Sequence, residues 1–366
     1  MEKTWCSDCK YLKDGNCTLP NVVVHLKHGQ VVSCDSKSTG HVIKEKLPEN
    51  TVEFFMKVKS LIDKKLNDEI EKWSDTSARE KAKHILEGGK RLRPSLTILS
   101  YLASGGSYEG LEKALESAVS LEIQHCSSLA LDDLMDKDLE RRGKPSFPFL
   151  YPESAILFPL QLIYTAFRQI SRHGPEILNT VFKTGEVIIR GQEKDLKTFD
   201  IDKIKSIPTL GSEYFEIISE KTAKAFATAS KVGCMEAGGK DDLQKLFELY
   251  GMEIGLAYQL ADDLVDLVKG KFPLSKMLMC WGAQLEESLR SNFSEALKGN
   301  VSPIFLTTIK LSVKSFLENE MRKRIENAIE CVKKMDIPES PYKKILYEAP
   351  EYITKQQLSE AGLEAS

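Results

Sequence analysis

The sequence contains no apolar run long enough to cross a lipid bilayer. A membrane-spanning helix needs about 18 or more apolar residues in succession, whereas the best candidate, Ala155 to Phe167, is shorter and includes Pro159 and Gln161. The N-terminal run MEKTWCSDCK has no apolar stretch behind its charges, so it does not predict a secretory signal. We therefore expect no transmembrane segment and a cytoplasmic location.

The chain also lacks an excess of charge of either sign. Of its 366 residues, 51 are Lys or Arg and 54 are Asp or Glu, which gives a formal net charge of -3. A nucleic-acid-binding domain usually carries a basic excess, so we expect no nucleic-acid partner. Basic residues are therefore interpreted locally, as candidate sites for small anionic ligands.

Alternating strand patterns are missing after about residue 50. Apolar residues recur instead every three to four positions, which is the spacing of one face of an α-helix. Leu111 to Ala130 and Ile254 to Val268 show this spacing best. No repeat of solenoid length is present. The sequence predicts an all-α body, residues 41–366, that forms one helical domain.

Residues 1–40 differ in composition from the helical body. Turn signals separate the runs 22–25 and 30–33, which predict two short paired strands. Thiolates at the spacing of this segment suit tetrahedral Zn²⁺, with an Fe–S cluster as the alternative and free or redox-paired thiols as the remaining interpretations. We favour a small Cys-rich metal-binding module of open purpose. Its four cysteines are Cys6, Cys9, Cys17 and Cys34.

Two segments of the helical body each end in the pattern DDxxD. On a helix, the first and last Asp of this pattern lie one turn apart, about 5–6 Å along the axis. Carboxylates this close repel one another unless a cation neutralises them, and Mg²⁺ commonly takes one or two carboxylates together with water and phosphate oxygens. One such pattern alone is often a solvated acidic face, but two in one chain favour a Mg²⁺ site. The patterns are Asp132, Asp133, Asp136 and Asp262, Asp263, Asp266.

Three basic clusters supply the opposite charge. They are GGKRLRP at 88–94, RRGKP at 141–145 and the Lys221-Thr222 pair inside a predicted helix. The planar arginine side chain matches phosphate oxygens, and lysine provides a compact positive charge. Each cluster alone is typical of a solvated face. Together with two Mg²⁺-type patterns, the clusters predict a pocket for diphosphates.

These motifs resemble the trans-isoprenyl diphosphate synthase family, whose members make geranylgeranyl and longer polyprenyl diphosphates. The resemblance runs from about residue 80 to 270 and includes GGKRLRP, HxxSLxxDDLMDxDxxRRGKPS, GQxxDL, the KT pair and QLADDLVD. It implies one large helical bundle of the isoprenoid synthase type and a homodimer. It also implies a Mg²⁺-dependent, head-to-tail condensation of isopentenyl diphosphate with an allylic diphosphate. Tyr342 to Gln356 resembles the closing helix of the family, which we expect Pro350 to interrupt.

The resemblance implies a role for each matching residue. Mg²⁺ bound to the allylic diphosphate would be ligated by Asp132, Asp136 and Asp262, with support from Asp133, Asp263 and Asp266. The same diphosphate would be contacted by Arg141, Lys221 and Gln259. Isopentenyl diphosphate would be held by Lys90, Arg93, His125 and Arg142. The reacting centre would be lined by Thr222 and Gln192.

Product length depends in this family on the residues four and five positions before the first Asp. Here these are Ser128 and Ser127, with Gln124 one turn deeper. Because no aromatic side chain stands at that level, we favour a geranylgeranyl or longer product over farnesyl.

Two segments depart from the family pattern. Residues 155–161 replace a Gly-Asp pair that usually opens a helix, and the segment after Asp266 is short, with Lys271 or Lys276 as the candidate for a usual loop lysine.

Three functions remain open at this point. The intact acidic and basic motifs favour an active synthase. The two departures and the added module favour a non-catalytic or regulatory subunit of a heteromeric synthase. A class I terpene cyclase shares the Mg²⁺ chemistry but has no use for a GGKRLRP-type isopentenyl site, so it is the weakest of the three.

Overall fold

The computed structural model describes residues 46–198, 207–282, 284, 303–359 and 362, together with short strands before residue 37. The chain divides into two compact units, Met1–Glu45 and Lys46–Ser366. In the first unit, β1 (Leu12–Lys13) pairs antiparallel with β2 (Asn16–Cys17), and β3 (Val22–Lys27) pairs with β4 (Gln30–Ser36). Cys6 and Cys9 lie outside the described residues, as do the side chains of Cys17 and Cys34. The metal site of this module therefore stays a prediction.

The second unit is helical, which confirms the predicted all-α fold. Its helices, in chain order, are α1 Thr51–Glu71, α2 Thr76–Leu86, α3 Leu92–Ala103, α4 Leu111–Asp136, α5 Phe147–Leu150, α6 Leu157–Ile170, α7 Pro175–Thr198, α8 Ile207–Ile218, α9 Lys224–Glu236, α10 Asp241–Lys269, α11 Leu274–Gly282, α12 Pro303–Lys334 and α13 Pro341–Leu358. A two-residue hairpin, β5 (Glu140–Arg141) with β6 (Lys144–Pro145), follows α4. Within the described ranges, no helix is both long and apolar enough to span a bilayer.

Close backbone contacts place α9 and α10 beside each other. A Cβ atom added to Gly251 of α10 would lie 2.4 Å from the carbonyl oxygen of Phe226, and one added to Gly255 would lie 2.5 Å from Cα of Ala223. Only glycine allows two backbones to approach this closely. As a result, the π-helical turn Ser219–Ala223, which joins α8 to α9, is held against the helix that carries the second DDxxD pattern.

Helix α13 continues through Pro350, contrary to the expectation that this proline interrupts it. Proline has no N–H to bond the carbonyl four residues earlier, which here belongs to Leu346. The buried hydroxyl of Tyr250 on α10 replaces that donor, at 2.7 Å from the Leu346 oxygen. Since the carbonyl is satisfied from another helix, α13 keeps its course, and its last turn reaches the cavity described below.

We expect Tyr250→Phe to lower the free energy of unfolding by about 1–3 kcal/mol, because it leaves the Leu346 carbonyl buried without a donor. In a Pro350→Ala background, the alanine N–H can bond that carbonyl, so the same substitution should cost much less. Urea denaturation of the four proteins measures the difference. An equal cost in both backgrounds would contradict the assigned role of Tyr250.

Candidate active site

A cavity of about 1190 Å³ lies between α4 and α10 and receives both DDxxD patterns. Its lining also includes residues from the turn before α3, the β5–β6 hairpin, the π-helical turn and the last turn of α13. The predicted site residues that line it are Lys90, Arg93, His125, Asp132, Asp136, Arg141, Arg142, Lys221, Thr222, Gln259, Asp262, Asp263 and Asp266. Residues up to 269 positions apart in the sequence, Gly88 and Gln357, thus meet in one place.

Two predicted residues do not line this cavity. Asp133 is buried and lines a smaller cavity that shares Arg141 and Arg142 with the first. Gln192 is also buried, and within the described part of the chain both polar atoms of its side chain lack a hydrogen-bond partner. The assignment of Gln192 to the reacting centre stays a prediction.

The second Asp of each pattern is held by protein groups. Asp133 Oδ1 lies 2.5 Å from the Arg141 guanidinium. Asp263 accepts a hydrogen bond from the Tyr214 hydroxyl at 2.5 Å and another from Gln259 Nε2 at 3.1 Å. Both of these second residues are also buried, whereas the first and last residues of each pattern are less buried. The first and last carboxylates of each pattern are therefore the better candidates for metal ligands.

The carboxylates of the cavity are desolvated and crowded. Burial raises the pKa of Asp132, against the opposing attraction of Lys221, whose Nζ lies 3.7 Å from Asp132 Oδ2. Burial, followed by repulsion from Asp263 and Asp266, raises the pKa of Asp262 to about 6. Such shifts mean that the ionised carboxylates are unfavourable here without added positive charge. Binding of cations in the cavity would therefore stabilise the ionised carboxylates.

Asp195 of the GQxxDL segment organises two lysines. Its Oδ2 lies 2.7 Å from Lys221 Nζ, and its Oδ1 lies 2.9 Å from Lys276 Nζ. Burial would raise the pKa of Asp195, but the two lysines outweigh burial and lower it. Both Lys271 and Lys276 line the cavity, and the ion pair with Asp195 ties Lys276 to the motif residues. Sequence reasoning left this choice open because helical spacing does not relate Asp195 to α11.

A second group of cations lies at the end of the cavity formed by GGKRLRP. The guanidinium of Arg93 stacks on the ring of Phe226, with its Cζ 4.3 Å from the ring centroid, and its Nη1 donates to His125 Nε2 at 2.8 Å. Burial, and then the charge of Arg93, holds the pKa of His125 well below its usual range. His125 is therefore neutral and serves as an acceptor for Arg93. The aromatic face and the neutral imidazole orient Arg93 while leaving its charge uncompensated.

Arg91 anchors this segment instead of binding a ligand. It adopts a left-handed backbone conformation with φ 57°. Its buried side chain contacts Asp63 at 2.7 Å and Glu122 at 2.8 Å. Because two carboxylates hold Arg91, the lysine before it and the arginine two positions after it face the cavity. The Arg142 side chain, from the hairpin, donates to the carbonyl of Glu87 at 2.9 Å.

The last turn of α13 closes this end of the cavity. Lys90 Nζ donates to the carbonyl of Gln356 at 2.9 Å and to Gln357 Oε1 at 2.6 Å. The side-chain N–H of Gln357 donates in turn to Asp262 Oδ1. Sequence reasoning did not single out Gln357 or Tyr214, because neither stands in a motif that carries charge.

The polyprenyl synthetase family model matches residues 75–279, which is more than half of the chain. The chain belongs to the polyprenyl synthetase family. The match covers every motif from GGKRLRP to the second DDxxD, so the resemblance inferred from those motifs is confirmed.

Curated and solved members of the family agree with this assignment. The geranylfarnesyl diphosphate synthase of Methanosarcina mazei is 32% identical over 203 residues, 54% of this chain and 65% of that protein. The geranylgeranyl pyrophosphate synthase of Geoglobus acetivorans is 29% identical over 321 residues, 81% of this chain and 96% of that protein. The crystal structure of geranylgeranyl pyrophosphate synthetase from Pyrococcus horikoshii has a TM-score of 0.68 at 26% identity and covers 83% of this chain and 98% of that one. The chain thus spans slightly less than two thirds of the Methanosarcina mazei protein.

The donor set of the cavity fits Mg²⁺ that arrives with a diphosphate. Among the described residues, no three Asp, Glu, His or Cys side chains converge closely enough to hold a metal by themselves. Mg²⁺ needs one or two carboxylates when phosphate and water complete its shell. Asp132, Asp136 and Asp262 face the cavity from opposite helices and carry raised pKa values. The arrangement therefore suits cations that bridge protein and ligand better than a resident, protein-only site.

In EDTA at pH 7, we expect Asp262→Asn to raise the free energy of unfolding by up to about 3 kcal/mol. The pKa of Asp262 is 3.8 without the protein environment and about 6 in the fold, and each pKa unit corresponds to about 1.4 kcal/mol. Since the unfolded chain ionises more readily, wild-type stability falls as the pH rises from about 4 to about 6 and is then constant. Denaturation at pH 7 and pH 4.5 should show a gain that shrinks at the lower pH.

The matched control for this experiment is Asp68→Asn, at an exposed position of α1. It should change stability little at either pH. A loss of stability in Asp262→Asn at pH 7 would contradict the conclusion that repulsion among the carboxylates destabilises the fold in EDTA.

Proposed function

We propose that this protein is a trans-prenyltransferase that condenses isopentenyl diphosphate with an allylic diphosphate, head to tail, to give a geranylgeranyl or longer prenyl diphosphate. One observation carries the proposal: a single cavity joins the carboxylates of α4 and α10 to two separate groups of cations. Two anionic substrates can therefore bind side by side. The names of the relatives, which are geranylfarnesyl and geranylgeranyl diphosphate synthases, support the same reaction.

The allylic diphosphate binds at the carboxylate end. Asp132, Asp136 and Asp262 would hold Mg²⁺ there, and Mg²⁺ would neutralise the negative charge that develops on the leaving diphosphate. Lys221 lies between Asp132 and Asp195, where its ammonium group can donate to a diphosphate oxygen. The protein thus meets the developing charge with groups that are already oriented.

Isopentenyl diphosphate binds at the other end of the cavity, where the cations Lys90, Arg93 and Arg142 stand beside the neutral His125. The carbon–oxygen bond of the allylic substrate breaks first, and its diphosphate leaves with the electron pair. The double bond of isopentenyl diphosphate then attacks the allylic cation and forms the new carbon–carbon bond. The resulting cation loses a proton to the departed diphosphate, because the motifs contain no dedicated base.

Two polar residues beside the reacting centre are bonded to each other. The Thr222 hydroxyl donates to Gln259 Oε1 at 2.7 Å. The amide N–H of Gln259 points toward Asp263. This pairing fixes the orientation of both side chains next to Lys221.

The residues four and five positions before Asp132 favour a long product. Ser127 Oγ donates to the carbonyl of Ile123 at 2.7 Å, and Ser128 Oγ donates to the carbonyl of His125 at 2.8 Å. Both hydroxyls are thus satisfied within α4 and expose little polarity. Small, satisfied side chains at this level suit a growing hydrocarbon chain.

The proposal includes a homodimer formed by α6 and α7. Phe167 of α6 stacks on Phe182 of α7 with a centroid separation of 4.3 Å, so the two helices lie side by side. Their outer face carries Leu157 and Tyr164, each 71% exposed, and Ile189, 63% exposed. Exposed apolar patches of this kind mark protein interfaces. The segment 155–161 that departs from the family pattern contributes to this face.

We expect the purified protein to elongate dimethylallyl, geranyl or farnesyl diphosphate with isopentenyl diphosphate and Mg²⁺. Chromatography of the dephosphorylated products should show one discrete prenol, either geranylgeraniol or a longer one. EDTA or Asp132→Ala should reduce its formation by at least about 100-fold, because charge stabilisation at the leaving group is lost. Asp68→Ala, at the exposed α1 position, should retain activity.

No elongation from any primer by folded, Mg²⁺-supplied protein would contradict the synthase. Activity that appears only after a second synthase chain is added would favour the regulatory-subunit interpretation instead.

We expect Leu157→Glu to convert the dimer to a monomer in light scattering coupled to size-exclusion chromatography, since it buries a charge in the proposed interface. Leu311→Glu is the matched control, because Leu311 is 65% exposed on α12, away from this face. A wild-type monomer, or a dimer that survives Leu157→Glu, would contradict the assignment of the α6–α7 face.

A further inference from the structure

The last turn of α13 places one neutral side chain between the two halves of the cavity. Gln357 is 5% exposed. Its Oε1 accepts a hydrogen bond from Lys90 Nζ at 2.6 Å, and its Nε2 donates to Asp262 Oδ1. Lys90 lies in the cation group and Asp262 in the carboxylate group. A single amide therefore connects groups that would bind different ligands.

The chemistry of this position requires an amide. A carboxylate could accept from Lys90, but it would cancel the charge of the lysine and could not donate to Asp262. An ammonium group could donate to Asp262, but it would repel Lys90 and compete with a metal ion. A glutamine accepts and donates at once without adding charge. It therefore orients both neighbours and leaves their charges available.

The helix that carries Gln357 is rigidly supported. The flanking residues Ile353, Thr354 and Leu358 are buried. The hydroxyl of Thr354 donates to the carbonyl of Pro350 at 2.8 Å, within the turn that follows the Tyr250 contact. Because α13 is anchored to the core, the Gln357 amide stands at a fixed place relative to α10.

We propose that Gln357 is a positioning residue that sets the spacing between Lys90 and Asp262, and so aligns the isopentenyl diphosphate site with the Mg²⁺–diphosphate site. The identity of the two ligands rests on the proposed function. The bridge itself rests on the contacts of Gln357. Residues that orient a ligand-binding group through a hydrogen bond commonly contribute about 10–100-fold to affinity or activity.

The test measures binding, without turnover. Calorimetric titration with isopentenyl diphosphate in EDTA reports on the Lys90 half, and titration with Mg²⁺ in the presence of inorganic diphosphate reports on the Asp262 half. Gln357→Met keeps the side-chain volume but loses both hydrogen bonds. We expect it to weaken the affinity for each of the two ligands by about 10-fold. Lys355→Ala should leave both affinities unchanged, since Lys355 is exposed on the same turn and pairs with Glu351 at 2.5 Å.

A double-mutant cycle separates positioning from packing. If Gln357 acts on isopentenyl diphosphate through Lys90, Gln357→Met should have little further effect on that ligand in a Lys90→Met background. Its effect on Mg²⁺–diphosphate binding should persist there. A merely structural role would weaken both ligands equally in either background, together with a lower melting temperature, and would overturn the proposal.

A second variant covers a folding failure of Gln357→Met. Gln357→Asn keeps the amide but shortens the side chain. It should also weaken the affinity for both ligands. Unchanged affinities in a folded Gln357 variant would overturn the proposal. Wild-type protein that binds both probes but elongates no primer would refute the synthase reaction and leave the bridge intact. Wild-type protein that binds neither probe would overturn both.

Discussion

The repulsion among carboxylates in one desolvated cavity is the constraint on which the rest of the site depends. Two helices bring their acidic residues together in a partly buried cavity, where the charges are less well solvated than in bulk water. The protein offsets part of this cost with fixed partners: Arg141 beside Asp133, Tyr214 beside Asp263, and two lysines around Asp195. Under the proposed function, Mg²⁺ that arrives with a diphosphate would supply the remaining positive charge and so relieve the repulsion among the carboxylates.

The pattern of partners divides the acidic residues by task. Asp132, Asp136 and Asp262 line the cavity and are less buried, whereas a buried aspartate whose partners are protein groups is a poor metal ligand and instead orients its neighbours. In both DDxxD patterns the second residue has this position, although the two anchors are chemically different, a guanidinium in one case and a phenol with an amide in the other. Similar sequence strings are therefore supported by unrelated surroundings.

The helical body and most of the cavity lining could be predicted because their signals are local. Helical spacing fixes which side chains share a face, and charged motifs identify themselves. The partners could not be predicted, because the contact of Lys276 with Asp195, or of Gln357 with Asp262, joins segments that no spacing rule relates. The expectation that Pro350 breaks its helix was wrong for the same reason: the compensating donor, Tyr250, lies 100 positions earlier in the chain.

That donor also has a mechanical consequence. A proline inside a helix is ordinarily a place where the chain can bend, since one rung of the hydrogen-bond ladder is missing. The Tyr250 hydroxyl of the neighbouring helix α10 donates the missing hydrogen bond and so stiffens α13 at this position. Any widening of the cavity beside the last turn of α13 would therefore have to displace the helix as one straight element, because it has no weak point at Pro350.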